Sequence, residues 1–312
     1  MSKKKHIGLK LVLVLSIFLL LTGCTTQLKN DKGKVVKDPT TGQTLTKNIL
    51  CQPTEKTSVD LYNKNKVKVD KLPKCEDMKI NSGHYEGLWN SFFVKPLAFA
   101  LIKIGTVVKN YAISLIIITL IIRMIVFPLT LNMARQAKVM KDAQPELTKL
   151  QKKYAGKEQT QENMMKQNQE MMAIYKKYNI NPALGCIFAF IQLPLFIAFF
   201  EAIQRTPAIY EDSFLGMHLG TTASVGLSSA TFYSYLILVI LIGVTTYLSF
   251  KMNQTDMSTN PTMKYMPIMM TVMIIFMGFV MPAGLGIYWV TSNIFTIVQN
   301  AIVGRSKKDE RA

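Results

Sequence analysis

Hydrophobic positions in this chain fall in blocks rather than in alternation. Residues 111–131, 183–203, 229–250, 265–281 and 285–303 are almost free of charge. Each approaches the roughly 20 apolar residues that a helix needs to cross a bilayer. A sixth run, residues 88–109, is broken by Lys95, Pro96 and Lys103. Its uninterrupted parts are too short for a span. They read as an amphipathic helix in the outer interface with Trp89 at headgroup level, a sixth span being the alternative.

The polar stretches between the blocks are of two kinds. Residues 132–181 carry ten Lys or Arg against five acids and read as two helices joined near Gly156, with sparse apolar residues Leu147, Leu150, Tyr154, Met164, Met171, Met172 and Tyr175. This pattern predicts a thin helical hairpin. Residues 25–86 hold twelve Lys and eight acids with few aromatics, and read as a loosely structured segment.

The chain opens with Lys3, Lys4 and Lys5, an apolar run Leu11–Leu21, and then Thr22-Gly23-Cys24. Small residues before a Cys resemble a lipobox, in which the Cys sulfur is lipidated and becomes the new N-terminus. Residues 1–23 are therefore read as a signal, with 24–86 exported and anchored by lipid. Cys51 and Cys75 lie in that exported part, where a disulfide is allowed but not required. Cys186 reads as a packing residue in an apolar run.

Charge then orients the chain. The connections 132–181 and 251–264 and the tail 304–312 are basic, whereas 206–228 holds Glu211 and Asp212 and no Lys or Arg. With the N-terminus outside, every basic connection falls on the cytoplasmic side. Composition agrees: 49% hydrophobic and only 18% charged residues suit a polytopic membrane protein. The expected fold is all-α, with five transmembrane helices around a hydrophilic groove, an interfacial helix over 87–110, a core over 111–303 and a cytoplasmic hairpin.

Candidate chemistry is concentrated in one residue. Arg123 sits inside the first span, and a charge there costs about 2.5–3.5 kcal/mol on insertion scales. The five spans contain no Asp or Glu apart from Glu201, and Glu201 has Arg205 one helical turn on. An internal ion pair for Arg123 is therefore not expected, which points to a hydrated groove; bonding to helix-end carbonyls is the plainer alternative. In the last span Trp289, Ser292, Asn293, Thr296, Gln299 and Asn300 share one helical face. That face lines either the groove or a hydrogen-bonded helix interface. Thr119 and Gln192 add polar groups on the first and second spans. Met266, Met270, Met273 and Met277 form a stripe on the fourth, a packing surface or a yielding one for varied partners.

Enzymatic readings find no support. The three histidines, His6, His84 and His218, lie outside the spans, and neither a zinc-protease, a serine-hydrolase nor a nucleotide-binding motif is present. No metal site or cofactor is expected beyond the lipid on Cys24, and no DNA partner.

The segments "IIRMIVFPLTLNMARQAKVMKDAQPELTKLQKKY", "NPALGCIFAFIQLPLFIAFFEAI" and "MPAGLGIYWVTSNIFTIVQN", in this order, resemble the YidC/Oxa/Alb membrane protein insertases, in their shorter Gram-positive branch. The resemblance covers the signal and roughly residues 85–303. It implies a groove that opens to cytoplasm and lipid, with Arg123, Gln192 and Trp289 at the family's groove positions. It implies nascent membrane proteins as substrates, the Sec translocon and membrane lipids as partners, and insertion without covalent catalysis. The segment of about 60 residues before the core is long for that branch, and the tail "GRSKKDERA" is too short for tail-mediated ribosome docking, leaving the basic hairpin as a ribosome contact. The rival reading is an anion channel or transporter with Arg123 as selectivity charge; a third is a structural assembly subunit.

Overall fold

The computed structural model describes residues 25–158, 160–181, 183–253 and 261–309. The signal run, Cys24 and the end of the tail lie outside them, as do the side chains of Cys186 and Met266. The chain is mostly helical. It divides into two units. The first holds the described residues up to Ile118 with Leu193–Val239 and Gly278–Tyr288; the second holds Thr119–Gln192, Ile240–Met277 and the remainder from Trp289.

In the first unit, residues 25–86 are folded, which corrects the expectation of a loose segment. Isolated bridges pair Gln27 with Thr46, Lys29 with Val35 and Lys37 with Thr44. Alternation places Leu28 and Val36 inside while Lys29 and Lys37 face out. Leu28, Val36, Leu45, Ile49, Tyr62 and Val69 form a small core, with Tyr62 supplied by α1 (Lys56–Lys64). So small a core needs a staple. Cys51 and Cys75 supply it, joined by a disulfide with Cα atoms 4.8 Å apart. Few apolar residues suffice because pairings distant in sequence bring them together.

A helix then starts with a π turn, Asn90–Val94, and continues as α2, Lys95–Val108. Pro96 has no N–H to give, and the wider turn resets the hydrogen-bond ladder around it. The helix is therefore not interrupted at Lys95 or Pro96. Asn90–Val108 is long and apolar enough to cross a membrane, which removes the length argument against a span there. Lys95 is buried, with Nζ donating to the carbonyls of Ser82 at 2.8 Å and His84 at 3.0 Å. At Gly105 any Cβ would lie 2.3 Å from the Tyr111 ring, so glycine permits the close turn from α2 into α3 (Tyr111–Ile125).

The first unit also takes the C-terminal part of α6 (Ala183–Arg205), the short helices α7 (Pro207–Tyr210) and α8 (Ala223–Gly226), and a two-residue hairpin of β1 (Ser213–Phe214) and β2 (Met217–His218). Arg205 is fully buried there. Its Nη2 lies 2.6 Å from Glu86 Oε2, its Nη1 bonds to Asn90 Oδ1, and its Nε donates to Asn48 O at 2.7 Å. Glu201 stands 3.8 Å off and instead accepts from Trp89 Nε1 at 3.2 Å. The sequence-based pairing of Glu201 with Arg205 is thus the looser contact. Trp89 itself is buried in the protein, only 2% exposed.

The predicted 111–131 block, of which residues up to Ile118 belong to the first unit and those from Thr119 to the second, is not one helix. It breaks at Val126, and α3 meets α4 (Phe127–Tyr154) at 68°. Pro128 lies in the first turn of α4, where a missing N–H costs nothing, and it disfavours a helical continuation through the residue before it. α4 packs on α5 (Gln161–Lys177) through Ala143, Leu147, Tyr175 and Ile180, with Thr160 capping the start of α5. Lys153–Glu170 at 2.7 Å and Lys177–Glu146 at 2.5 Å tie the pair together at exposed positions, where such bridges fix register more than they stabilise. Met164 and Met172 remain exposed. α9 (Phe232–Asn253), α10 (Pro261–Val280) and α11 (Ala283–Asp309) complete the chain, and α11 runs beyond the predicted end at 303. Among the described residues, only Phe232–Met252 joins Asn90–Val108 in passing the length and hydropathy test, with the bent α3–α4 pair as a further candidate.

Candidate functional site

Arg123 lies in the last turn of α3, two residues before the helix ends. The side chain is 6% exposed. Nε donates to Ser292 Oγ at 2.7 Å, Nη2 bonds to the same oxygen, and Nη2 donates to Gln192 Oε1 at 2.8 Å. Both of these acceptors are neutral, and the bonds orient the guanidinium.

The polar face of α11 serves more than one neighbour. Ser292 accepts from Arg123, which also donates to Gln192. Trp289 Nε1 donates to Thr246 Oγ1 at 2.9 Å, and Asn293 Nδ2 donates to the same oxygen at 3.0 Å. One turn from the end of the described side chains, Gln299 Oε1 accepts from Thr130 Oγ1 at 3.1 Å. Thr296 turns inward to its own helix, donating to Ser292 O at 3.0 Å. Thr119 is buried one turn before Arg123.

The structure therefore brings Arg123, Gln192 and Ser292 together, and separately Trp289 and Asn293. This face makes hydrogen bonds to neighbouring helices, and its Ser292 accepts from the buried Arg123. Sequence reasoning missed Thr245 and Thr246 on α9. Two adjacent hydroxyls within "LIGVTTYLS", an otherwise apolar run, were the available signal. Of the methionine stripe, Met273 is exposed on α10 and Met270 and Met277 are half-buried.

Helices of this hydropathy carrying a buried arginine define a polytopic helical membrane protein. The comparisons narrow that class. The model of the family described as 60Kd inner membrane protein matches residues 103–310, and the chain belongs to that family. It is 35% identical over 229 residues to membrane protein insertase YidC 2 of Listeria innocua, covering 72% of this chain and 75% of the relative. It is 37% identical over 216 residues to membrane protein insertase YidC of Alkalihalophilus pseudofirmus, covering 69% and 81%. Membrane protein insertase MisCA of Bacillus subtilis is 35% identical over 230 residues, covering 73% and 82%. Among solved structures, an active YidC insertase crystal structure with its first transmembrane domain resolved aligns with a TM-score of 0.44 and 22% identity, over 79% of this chain and 52% of that one.

Proposed function

We propose that this chain is a bacterial membrane protein insertase and chaperone that receives nascent membrane proteins at Arg123. The observation that carries the site is the buried guanidinium held by Ser292 and Gln192. The relatives' printed names carry the activity.

In this reading the five apolar blocks cross the membrane, the α4–α5 hairpin and the C-terminus are cytoplasmic, and residues 24–86 lie outside, anchored by a lipid on Cys24. A polar groove shortens the hydrocarbon path for the exported end of a substrate. An arginine–carboxylate contact at 4 Å is worth roughly 4 kcal/mol at an effective dielectric of about 20, before desolvation. That attraction recruits an acidic tail and still releases it. Burial of the substrate's apolar helix in lipid supplies the drive, with no covalent step. The protein acts alone or with the Sec translocon, and the basic hairpin offers the ribosome a contact.

The test is insertion into liposomes containing only this protein. A single-span substrate with an acidic N-terminal tail is synthesised outside and scored by protease protection. Protection is expected with the wild type, lost in Arg123→Ala and largely kept in Arg123→Lys. Equal protection in all three removes Arg123 from the mechanism. Anion conductance without protection would favour the channel reading instead.

A further inference from the structure

The lysines of residues 25–86 are in excess for a segment placed outside the cell: twelve, against eight acids. Folding sharpens the imbalance. All twelve are exposed, whereas Asp38 is buried in its own turn, and Glu55 and Glu86 are half-buried against His218 and Arg205. Five exposed carboxylates remain, those of Asp31, Asp60, Asp70, Glu76 and Asp77.

Part of this basic surface is fixed beside an apolar helix. Lys103 of α2 donates from Nζ to Glu76 O at 2.8 Å, and the buried Lys95 holds the carbonyls of Ser82 and His84. Residues 76–84 are therefore tied to α2 at both ends. Cys75 at the head of this stretch is locked to Cys51. The same helix shows Phe92 and Val107 to the outside, at 70% and 81% exposure. Apolar side chains left bare on a helix that passes the membrane test are surfaces for lipid. Lys103 on α2, Lys109 at its end, and Lys74 and Lys79 in or beside the stretch tied to it are all exposed, with Glu76 and Asp77 among them.

We infer that these lysines form a binding face for the anionic phospholipid headgroups of the leaflet next to α2. The chemistry is ammonium to phosphodiester. It reaches only about 8 Å at physiological salt, so only lysines held at the lipid surface take part. The disulfide and the two lysine–carbonyl ties hold them there. Each such lysine multiplies surface binding about fivefold. The site differs from that of a soluble polyanion, which would engage Lys29, Lys32, Lys34 and Lys37 on the hairpin as readily as the lysines beside α2. Phospholipid engages the second group and spares the first.

The test uses the full chain in nanodiscs of phosphatidylcholine, with and without phosphatidylglycerol. A short pulse of an amine-acetylating reagent is read lysine by lysine by mass spectrometry. Phosphatidylglycerol is expected to slow acetylation of Lys74, Lys79 and Lys103 about threefold or more while Lys29, Lys32 and Lys34 keep their rates. At about 1 M salt, where screening contracts to about 3 Å, the protection disappears. Equal rates in the two lipids overturn the inference. So does protection of all these lysines by added soluble polyphosphate with none by phosphatidylglycerol. A Lys74→Gln, Lys79→Gln chain that keeps its disulfide and still shows full protection at Lys103 would overturn the collective face.

Discussion

Arg123 and Ser292 meet across 169 residues of sequence, Nε donating to Oγ at 2.7 Å with Nη2 converging on the same oxygen. Ser292→Ala keeps the charge and removes its main orienting contact. A hydrogen bond to a charged group is worth about 1.5–3 kcal/mol. In the liposome assay Ser292→Ala is expected to slow insertion by about tenfold, less than Arg123→Ala, and Ser292→Thr to restore most of it. A Ser292→Ala chain as inactive as Arg123→Ala would mean the hydroxyl contributes more than orientation.

Arg205 and Glu86 form the other buried pairing. Glu86→Ala leaves a fully buried guanidinium with Asn90, the Asn48 carbonyl and a distant Glu201. Removing one partner of such a pair costs about 3–5 kcal/mol. Glu86→Ala is expected to expose residues 25–86 to protease at temperatures where the wild type resists. Adding Arg205→Met should recover much of the loss, because an apolar side chain of similar length no longer needs the carboxylate. Failure of the double variant to recover would locate the stabilisation elsewhere.

The disulfide closes a stretch of 24 residues around α1. Loop-closure entropy for that length amounts to about 3.5 kcal/mol. Cys51→Ser with Cys75→Ser is expected to lower the denaturant midpoint for unfolding of residues 25–86. Without reductant, thiol alkylation should leave both cysteines of the wild type unlabelled.

Alkaline pH should unfold the same segment. Burial pushes the Tyr62 hydroxyl from 10.0 up to about 12, and burial raises Tyr210 as well. A raised folded value means the unfolded chain ionises first. The stabilisation is complete below pH 10 and is lost as pH rises through about 12, amounting to roughly 3 kcal/mol for Tyr62. Tyrosinate absorbance should appear together with unfolding, and Tyr62→Phe should move the transition to higher pH. Smooth ionisation with the fold intact would contradict this.

How far the sequence anticipates these features depends on the range of the interaction. Apolar blocks and the polar face of α11 repeat locally, so periodicity reveals them. The fold of residues 25–86 does not. Its core draws on Leu28, Val36, Leu45 and Tyr62, single residues brought together by pairing and a disulfide, and a lysine-rich composition hides them. The partner of Arg205 was legible as a nearby Glu201, whereas the closer Glu86 comes from 119 residues away. Pro96 and Pro128 misled in opposite directions. One sits at a π turn that keeps its helix running, and the other follows a true break at Val126. Only the local backbone distinguishes them.

The break at Val126 also sets a length. α3 has 15 residues and rises about 22 Å, against about 30 Å of hydrocarbon in a typical bilayer. A rod that short, turning through 68° at its end, leaves lipid tails beside it without matching protein surface. Hydrophobic mismatch of this kind is relieved by local thinning of the bilayer or by water and headgroups drawn inward. In the proposed reading, where α3 enters the membrane, either response would fall next to Arg123, and the shape of one helix would lower the barrier there for a polar substrate segment.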